Sequence, residues 1–302
     1  MRSVTVRLSG KINPMPMYLK GTLMRRRGLK QGERLPEMIA EFKGFRIDKR
    51  HFNRVSSLCD LGHNGAPAII YPLTLIFPLH MSLITHQEFP LFFPRMLHVR
   101  DHIVQHQGLD RERETDISCR IIGQRILHKG LEFDIHSRLS QGGDPVWESI
   151  STNYFPGAFG TPTEASPLAV FSPMPDHAMK TDWKMPTEGR FTFGLLSGDY
   201  NGIHYSASYA KLMGFKRDFS HSRRSLAECL RHLPEVDAGR PLRLDAAIKG
   251  PVYYGSRVVM SHAADEKGIR FDLHATGDSR PCITAYLSHA GKGTVALDQQ
   301  AS

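Results

Sequence analysis

Between Phe193 and Phe215 the chain reads FGLLSGDYNGIHYSASYAKLMGF. Within six residues it sets a carboxylate (Asp199), an amide (Asn201) and an imidazole (His204), with Gly198 and Gly202 beside them. A rigid loop of this kind can bring carboxylate and imidazole to one water. The carboxylate accepts a proton or orients the water, the imidazole relays the proton, and the amide fixes the water's place. The two glycines suit a sharp or left-handed backbone close to a substrate. The same residue types also make an Asx turn that runs into a helix, with His204 on its first turn. The surrounding chain has to decide between these readings.

Hydrophobic periodicity shows what would hold the loop. SHSRRSLAECLRHLP places Leu226, Cys229, Leu230 and Leu233 at helical spacing, with Ser220 or Ser222 able to cap the start and Pro234 to stop the end. The period then becomes two. Leu242, Leu244, Ala246 and Ile248 alternate with polar residues, as do Ile269, Phe271 and Leu273, and then Ile283, Ala285 and Leu287. This is the signature of half-buried antiparallel strands. The first half of the chain repeats the order. An apolar helical segment from Leu73 to Thr85 precedes strands around 96–105, 116–127, 131–139 and 146–155, with Gly142-Gly143-Asp144 as a hairpin signal. Residues before about 65 read as a first strand and edge decoration. Segment 156–189, dense in Pro, Ser, Thr and Gly, reads as a linker between halves spanning 1–155 and 190–302. A helix followed by a meander, twice, predicts an α+β architecture in which two curved antiparallel sheets each wrap a central helix.

The loop also resembles a known signature. Phe193, Leu196, Ser197, Gly198, Asp199, Asn201, Ile203, His204 and Ala210 match the motif of the MaoC-like dehydratases, or hydratase 2 enzymes. Met213-Gly214-Phe215, Phe219-Ser220-His221 and Pro251-Val252-Tyr253-Tyr254-Gly255 resemble the segments that follow it in that family. The resemblance implies the hot-dog fold, doubled in a chain of 302 residues. It implies reversible syn addition of water to a trans-2-enoyl thioester, giving the (R)-3-hydroxyacyl thioester. Asp199 and His204 become the catalytic pair, and Asn201 their positioning partner. Gly198 and Gly202 shape the loop, and the backbone at Ser222, opening the central helix, binds the oxyanion. Two positions depart from the family. Gly202 replaces its proline, which loosens the loop, and Ser222 replaces the glycine of its His-Gly pair, which brings a side chain close to the thioester. The first half carries no Asp-x-Asn…His cluster, so it is expected to be non-catalytic and to accommodate the acyl chain.

Other features narrow the function without fixing it. A net charge of +9 and a pI near 9.5 suit acidic or phosphorylated partners, yet no nucleic-acid-binding spacing accompanies the Arg25-Arg26-Arg27 run. Arg217, Arg223 and Arg224 are therefore read as contacts for a cofactor phosphate or an acidic carrier, with plain solvation the alternative. His98, His102 and His106 recur every fourth residue on an alternating segment and read as one face of a strand, not as a metal site. Ser197 lacks a nucleophile elbow. Trp147 and Trp183 read as packing and linker docking. Cys59, Cys119, Cys229 and Cys282 are scattered and read as buried thiols of a cytoplasmic protein. The apolar run near Leu75 is broken by Pro72, Pro78 and His80, so no membrane span is expected, and the opening MRSVTVRLSGKINPMPM lacks a continuous apolar stretch, so no secretory signal is expected. The expectation is a hydratase/dehydratase without a metal or redox cofactor, taking acyl groups on coenzyme A or the phosphopantetheine of acyl carrier protein. Such a chain leaves room for a homodimer. An acyl-thioester hydrolase on the same fold and a non-catalytic acyl-binding protein are the alternatives.

Overall fold

A computed structural model describes residues 3–61, 68–166, 169–237 and 239–290. The first half runs β1 (Val4–Leu8), α1 (Pro14–Leu23), β2 (Met38–Phe45), α2 (Lys49–Cys59) and α3 (Pro72–Ile84). It continues through β3 (Leu97–Gln105), β4 (Thr115–Leu127), β5 (Gly130–Gln141) and β6 (Asp144–Pro156). The second half runs β7 (Met179–Lys184), α4 (Arg190–Ser197), α5 (Ala207–Leu212) and α6 (Ser222–Arg231), then β8 (Leu242–Ile248), β9 (Arg257–Ala264), β10 (Gly268–Ala275) and β11 (Pro281–His289).

The strands form one sheet in the order β1-β2-β4-β5-β6-β3-β8-β11-β10-β9-β7. Every neighbouring pair is antiparallel except β1 with β2. The two predicted sheets thus meet edge to edge. β3 pairs with β8 from Arg100↔Ala247 to Gln105↔Leu242, and the order reads outward from that seam in the same way on both sides. β6 corresponds to β11, β5 to β10, β4 to β9 and β2 to β7, a topological two-fold. In this scheme α3 and α6 are counterparts.

α3 is apolar almost all round and is buried along its length, as expected of a helix enclosed by a sheet. It packs on β1, β2, β4 and β5. α6 is amphipathic and buries Leu226, Ala227, Cys229 and Leu230. Leu73, Ile76 and Leu79 of α3 belong to the same core cluster as these residues and the inward positions of both groups of strands. The four cysteines are buried free thiols. Arg26, from the basic run, donates to the carbonyls of Thr85, His86 and Phe89 just beyond α3, so its cation faces the negative end of that helix.

Three expectations are corrected. The linker segment ends in a strand, since β7 pairs with β9 along the sheet edge. Its residues are mostly exposed and show no apolar alternation, while Trp183 stacks on His232 with ring centroids 4.2 Å apart. Neither Ser220 nor Ser222 caps α6; His221 holds the N-cap position and no side chain accepts from the first turn. His98, His102 and His106 do not share a face of β3. A bulge between His98 and Arg100 turns His98 toward the interior cavity, while His102 faces outward to Asp245 and His106 lies past the strand end near Glu148.

Candidate active site

The loop from Gly198 to His204 is built by short backbone contacts. α4 ends at Gly198, which is left-handed at φ +78° and returns its N–H to the Gly194 carbonyl at 2.8 Å. A Cβ there would sit 2.6 Å from Pro14 of α1. Asp199 Oδ1 then accepts the Asn201 N–H at 3.1 Å, and Asn201 Oδ1 accepts the Ile203 N–H at 3.3 Å. These are two successive Asx turns, and they open a 3-10 turn over Gly202–His204. The turn reading and the site reading describe one structure: the turns aim the side chains.

Asp199, Asn201 and His204 line a cavity of about 350 Å³. Asn201 holds one Asp199 oxygen, which leaves Oδ2 facing His204 Nε2 at 3.9 Å. That gap is long for a direct bond and suits a bridging water. The other ring nitrogen of His204, Nδ1, donates to the Phe219 carbonyl at 2.9 Å, which assigns the tautomer and keeps Nε2 free of a proton. Burial pushes the His204 pKa below its ordinary value, against the pull of Asp199 and the Phe219 carbonyl. The site thus sets a neutral imidazole beside the Asp199 side chain, with Nε2 open to accept a proton.

His221 and Tyr205 brace this pair. His221 stacks on His204 at 3.9 Å between centroids and 25° between planes. Its Nε2 lies 3.3 Å from the Asp199 carbonyl and 3.2 Å from the Tyr205 hydroxyl, which itself donates to that carbonyl at 2.6 Å. Asp199, His204 and His221 place one potential metal-ligand atom each within 4.8 Å of the others. The near-parallel rings keep their nitrogen lone pairs in stacked planes instead of converging on one point, and one nitrogen of each ring is engaged by a carbonyl. Proton transfer fits this geometry better than metal binding.

The cavity wall comes from both halves. Phe77, Met81 and Met96 of the first half face Phe215, Val252 and Ile283 of the second. Ser222, at the start of α6, also lines it. Tyr18 of α1 adds a buried hydroxyl without a partner, its pKa raised by burial and then by Asp199. The sequence reading missed Tyr18, because PMPMYLKGTL shows no clean helical stripe. The arginines sit elsewhere. Arg217 bonds the Tyr254 carbonyl, and Arg224 is only 2% exposed and turned toward the Glu188 carbonyl. Arg223 reaches the Leu73 carbonyl and lies 3.7 Å from Asp101. None of the three lines the cavity that holds Asp199 and His204.

Gly202 is constrained by space and not by a left-handed φ. A Cβ there would meet the Tyr209 ring at 2.8 Å. Tyr209 thus occupies room that a proline ring would need. Gly202→Pro is expected to lower the melting temperature, by about 1–3 kcal/mol of overpacking, and Tyr209→Ala in the same chain to relieve most of that loss. A Gly202→Pro chain as stable as the parent would contradict this.

Three buried imidazoles set a pH dependence. His80, His204 and His221 all have pKa values lowered by burial from 6.5. In the unfolded chain they titrate near 6.5, so below that pH the unfolded state binds more protons. Stability is full above about pH 6.5 and is expected to fall as pH drops, each ring contributing at most about 1.4 kcal/mol per pH unit until its own lowered value is reached. Melting midpoints between pH 8 and 5.5 check this; a midpoint that rises on acidification would refute it.

No protein-family model matches the chain. It is 23% identical over 253 residues to 3-hydroxyacyl-thioester dehydratase X of Mycobacterium tuberculosis, covering 84% of this chain and 90% of that protein. The crystal structure of HtdX from the same organism superposes with a TM-score of 0.68 at 22% identity, over 83% of this chain and 100% of that one. A MaoC-like dehydratase from Phytophthora capsici gives a TM-score of 0.63 at 15% identity, over 86% of this chain and 97% of that chain. No described helix is long and apolar enough to cross a membrane. With this fold, and with its Gly-Asp-x-Asn…His loop on the cavity between the halves, the chain is a double hot-dog protein similar to 3-hydroxyacyl-thioester dehydratase X and to MaoC-like dehydratases of known structure.

Proposed function

We propose that the protein catalyses reversible hydration of trans-2-enoyl thioesters and dehydration of 3-hydroxyacyl thioesters. The name of the Mycobacterium tuberculosis relative supports the reaction class. One observation carries it to named residues: Asp199 Oδ2 and an unprotonated His204 Nε2 face each other across 3.9 Å on an otherwise largely apolar cavity. In hydration a water held between them loses a proton to one group as its oxygen joins the β-carbon. That proton then passes from the pair to the α-carbon on the same face, which makes the addition syn; the (R) product requires in addition that the pair faces the matching side of the enoyl group. Asn201 keeps Asp199 oriented. The thioester oxygen, which gains negative charge in the transition state, lies against the uncapped N–H groups that open α6 at Ser222. The acyl chain follows the apolar wall between the halves.

In this reading the enzyme acts in the cytoplasm and needs no cofactor of its own, since coenzyme A or the phosphopantetheine of acyl carrier protein arrives with the substrate. The test is loss of enoyl absorbance on short and medium trans-2-enoyl-CoA, with chiral chromatography of the product. An (R)-3-hydroxyacyl product is expected. Constant enoyl absorbance with both coenzyme A and carrier-protein substrates would overturn the proposal.

A further inference from the structure

A second constellation faces the same cavity from the other side. Ser222 Oγ, at the first position of α6, lies 3.1 Å from His98 Nδ1. The opposite nitrogen, Nε2, lies 3.1 Å from Asp101 Oδ1 and 3.0 Å from the Arg100 carbonyl. Both of those oxygens are acceptors, so Nε2 carries the ring proton and Nδ1 accepts from the serine hydroxyl. Asp101 is 1% exposed and is further held by Ser151 Oγ at 2.6 Å. Burial alone would raise its pKa, but His98 and Arg223 beside it hold the carboxyl well below its usual range. The bulge at Val99 creates the arrangement. In a regular strand His98 and Asp101, three positions apart, would point to opposite faces, whereas here their side chains meet.

We propose that Ser222, His98 and Asp101 form a nucleophile, base and orienting carboxylate that hydrolyse acyl thioesters, a second activity on this cavity. Nucleophile and base are within hydrogen-bond reach, and a third group orients the base, which is the geometric signature of an activated serine. The imidazole is used the other way round from the familiar serine-hydrolase triad, but the roles depend on geometry and not on chain order. Ser222 also opens a helix whose first-turn N–H groups have no side-chain acceptor, so donors for an oxyanion stand beside the nucleophile.

The step balances as follows. Ser222 Oγ bonds to the thioester carbonyl carbon as its proton passes to His98 Nδ1, and the carbonyl electron pair moves onto oxygen. The pair returns, the carbon–sulfur bond breaks, and the thiolate leaves with the proton from His98. A water then gives a proton to His98 and attacks the acyl-serine ester. The carbon–Oγ bond breaks, the proton returns to Ser222, and the products are a carboxylic acid and a free thiol. Asp101 acts through His98 as a positioning residue.

Octanoyl-CoA separates this activity from hydration, because its saturated chain has no double bond to hydrate. Thiol release, followed with a chromogenic disulfide, is expected for the wild-type chain and is expected to fall at least about 10²-fold in both Ser222→Ala and His98→Gln. Intact mass should show the acyl group on the wild-type chain and not on Ser222→Ala. Asp101→Asn should lower turnover with little change in KM, a split that loss of substrate binding would not produce. Absence of thiol release and adduct in the wild type would overturn the proposal. So would release that survives Ser222→Ala, or that falls with Asp199→Asn instead.

Discussion

Asp199→Asn is expected to lower kcat/KM for enoyl-CoA hydration by about 10²- to 10⁴-fold, the range of a general acid–base group. The substitution keeps an oxygen to accept the Asn201 N–H, so the turn survives while the proton acceptor facing His204 is lost. His204→Ala should fall at least as far, since it also removes the ring stacked on His221 and bonded to Phe219. On the proposed mechanism the two groups handle one water, so the double variant should be hardly slower than the worse single one. Initial rates of absorbance loss for the three variants decide this. Losses that multiply would mean that the residues act independently, and turnover that survives both changes would place the chemistry elsewhere.

Gly194→Ala is expected to damage both stability and activity, although alanine in a helix normally gains about 1 kcal/mol over glycine. A Cβ at this point of α4 would lie 1.6 Å from the Tyr205 hydroxyl and 2.7 Å from its ring. Tyr205 would have to move, giving up its bond to the Asp199 carbonyl and its stack on Phe191. Overpacking of this kind costs about 1–3 kcal/mol, and the carbonyl it releases belongs to Asp199, the proposed proton acceptor. Denaturant midpoints and hydration rates should therefore drop together. In a Tyr205→Leu background the same change should cost far less stability, and equal losses in both backgrounds would contradict the clash.

The loop around Asp199 was legible because its residues act through neighbours in sequence: Asp199 to Asn201, and Asn201 to Ile203. The strands of the two meanders and the two central helices were legible for a similar reason, since burial on one side writes a period into the chain. What escaped depends on distant partners. Nothing local in LHVRDHIVQ tells that both of its edges are paired, or that a bulge turns His98 inward. β7 has little apolar content to reveal it, and only its equivalence to β2 in the two-fold order makes it an expected strand. Tyr18 reaches the cavity because α1 packs on α3, a contact that no motif encodes. Ser222 reads as a helix cap until His98 is seen opposite it.

The seam between β3 and β8 also matters while the chain is being made. β3 is complete at Gln105, but its partner begins only at Leu242. At about 5–20 residues per second, the ribosome needs roughly 7–27 s to bridge that interval. During that time the first half can pair β3 with β6 but must leave its other edge bare, a template for pairing with a neighbouring nascent chain. Arg100, Asp101 and His102, which are buried in the finished sheet, then stand in succession along the bare strand. Charge on an exposed edge discourages such pairing. Residues that position groups in the mature protein thus also guard the unfinished one against aggregation, and they lose that task once β8 arrives.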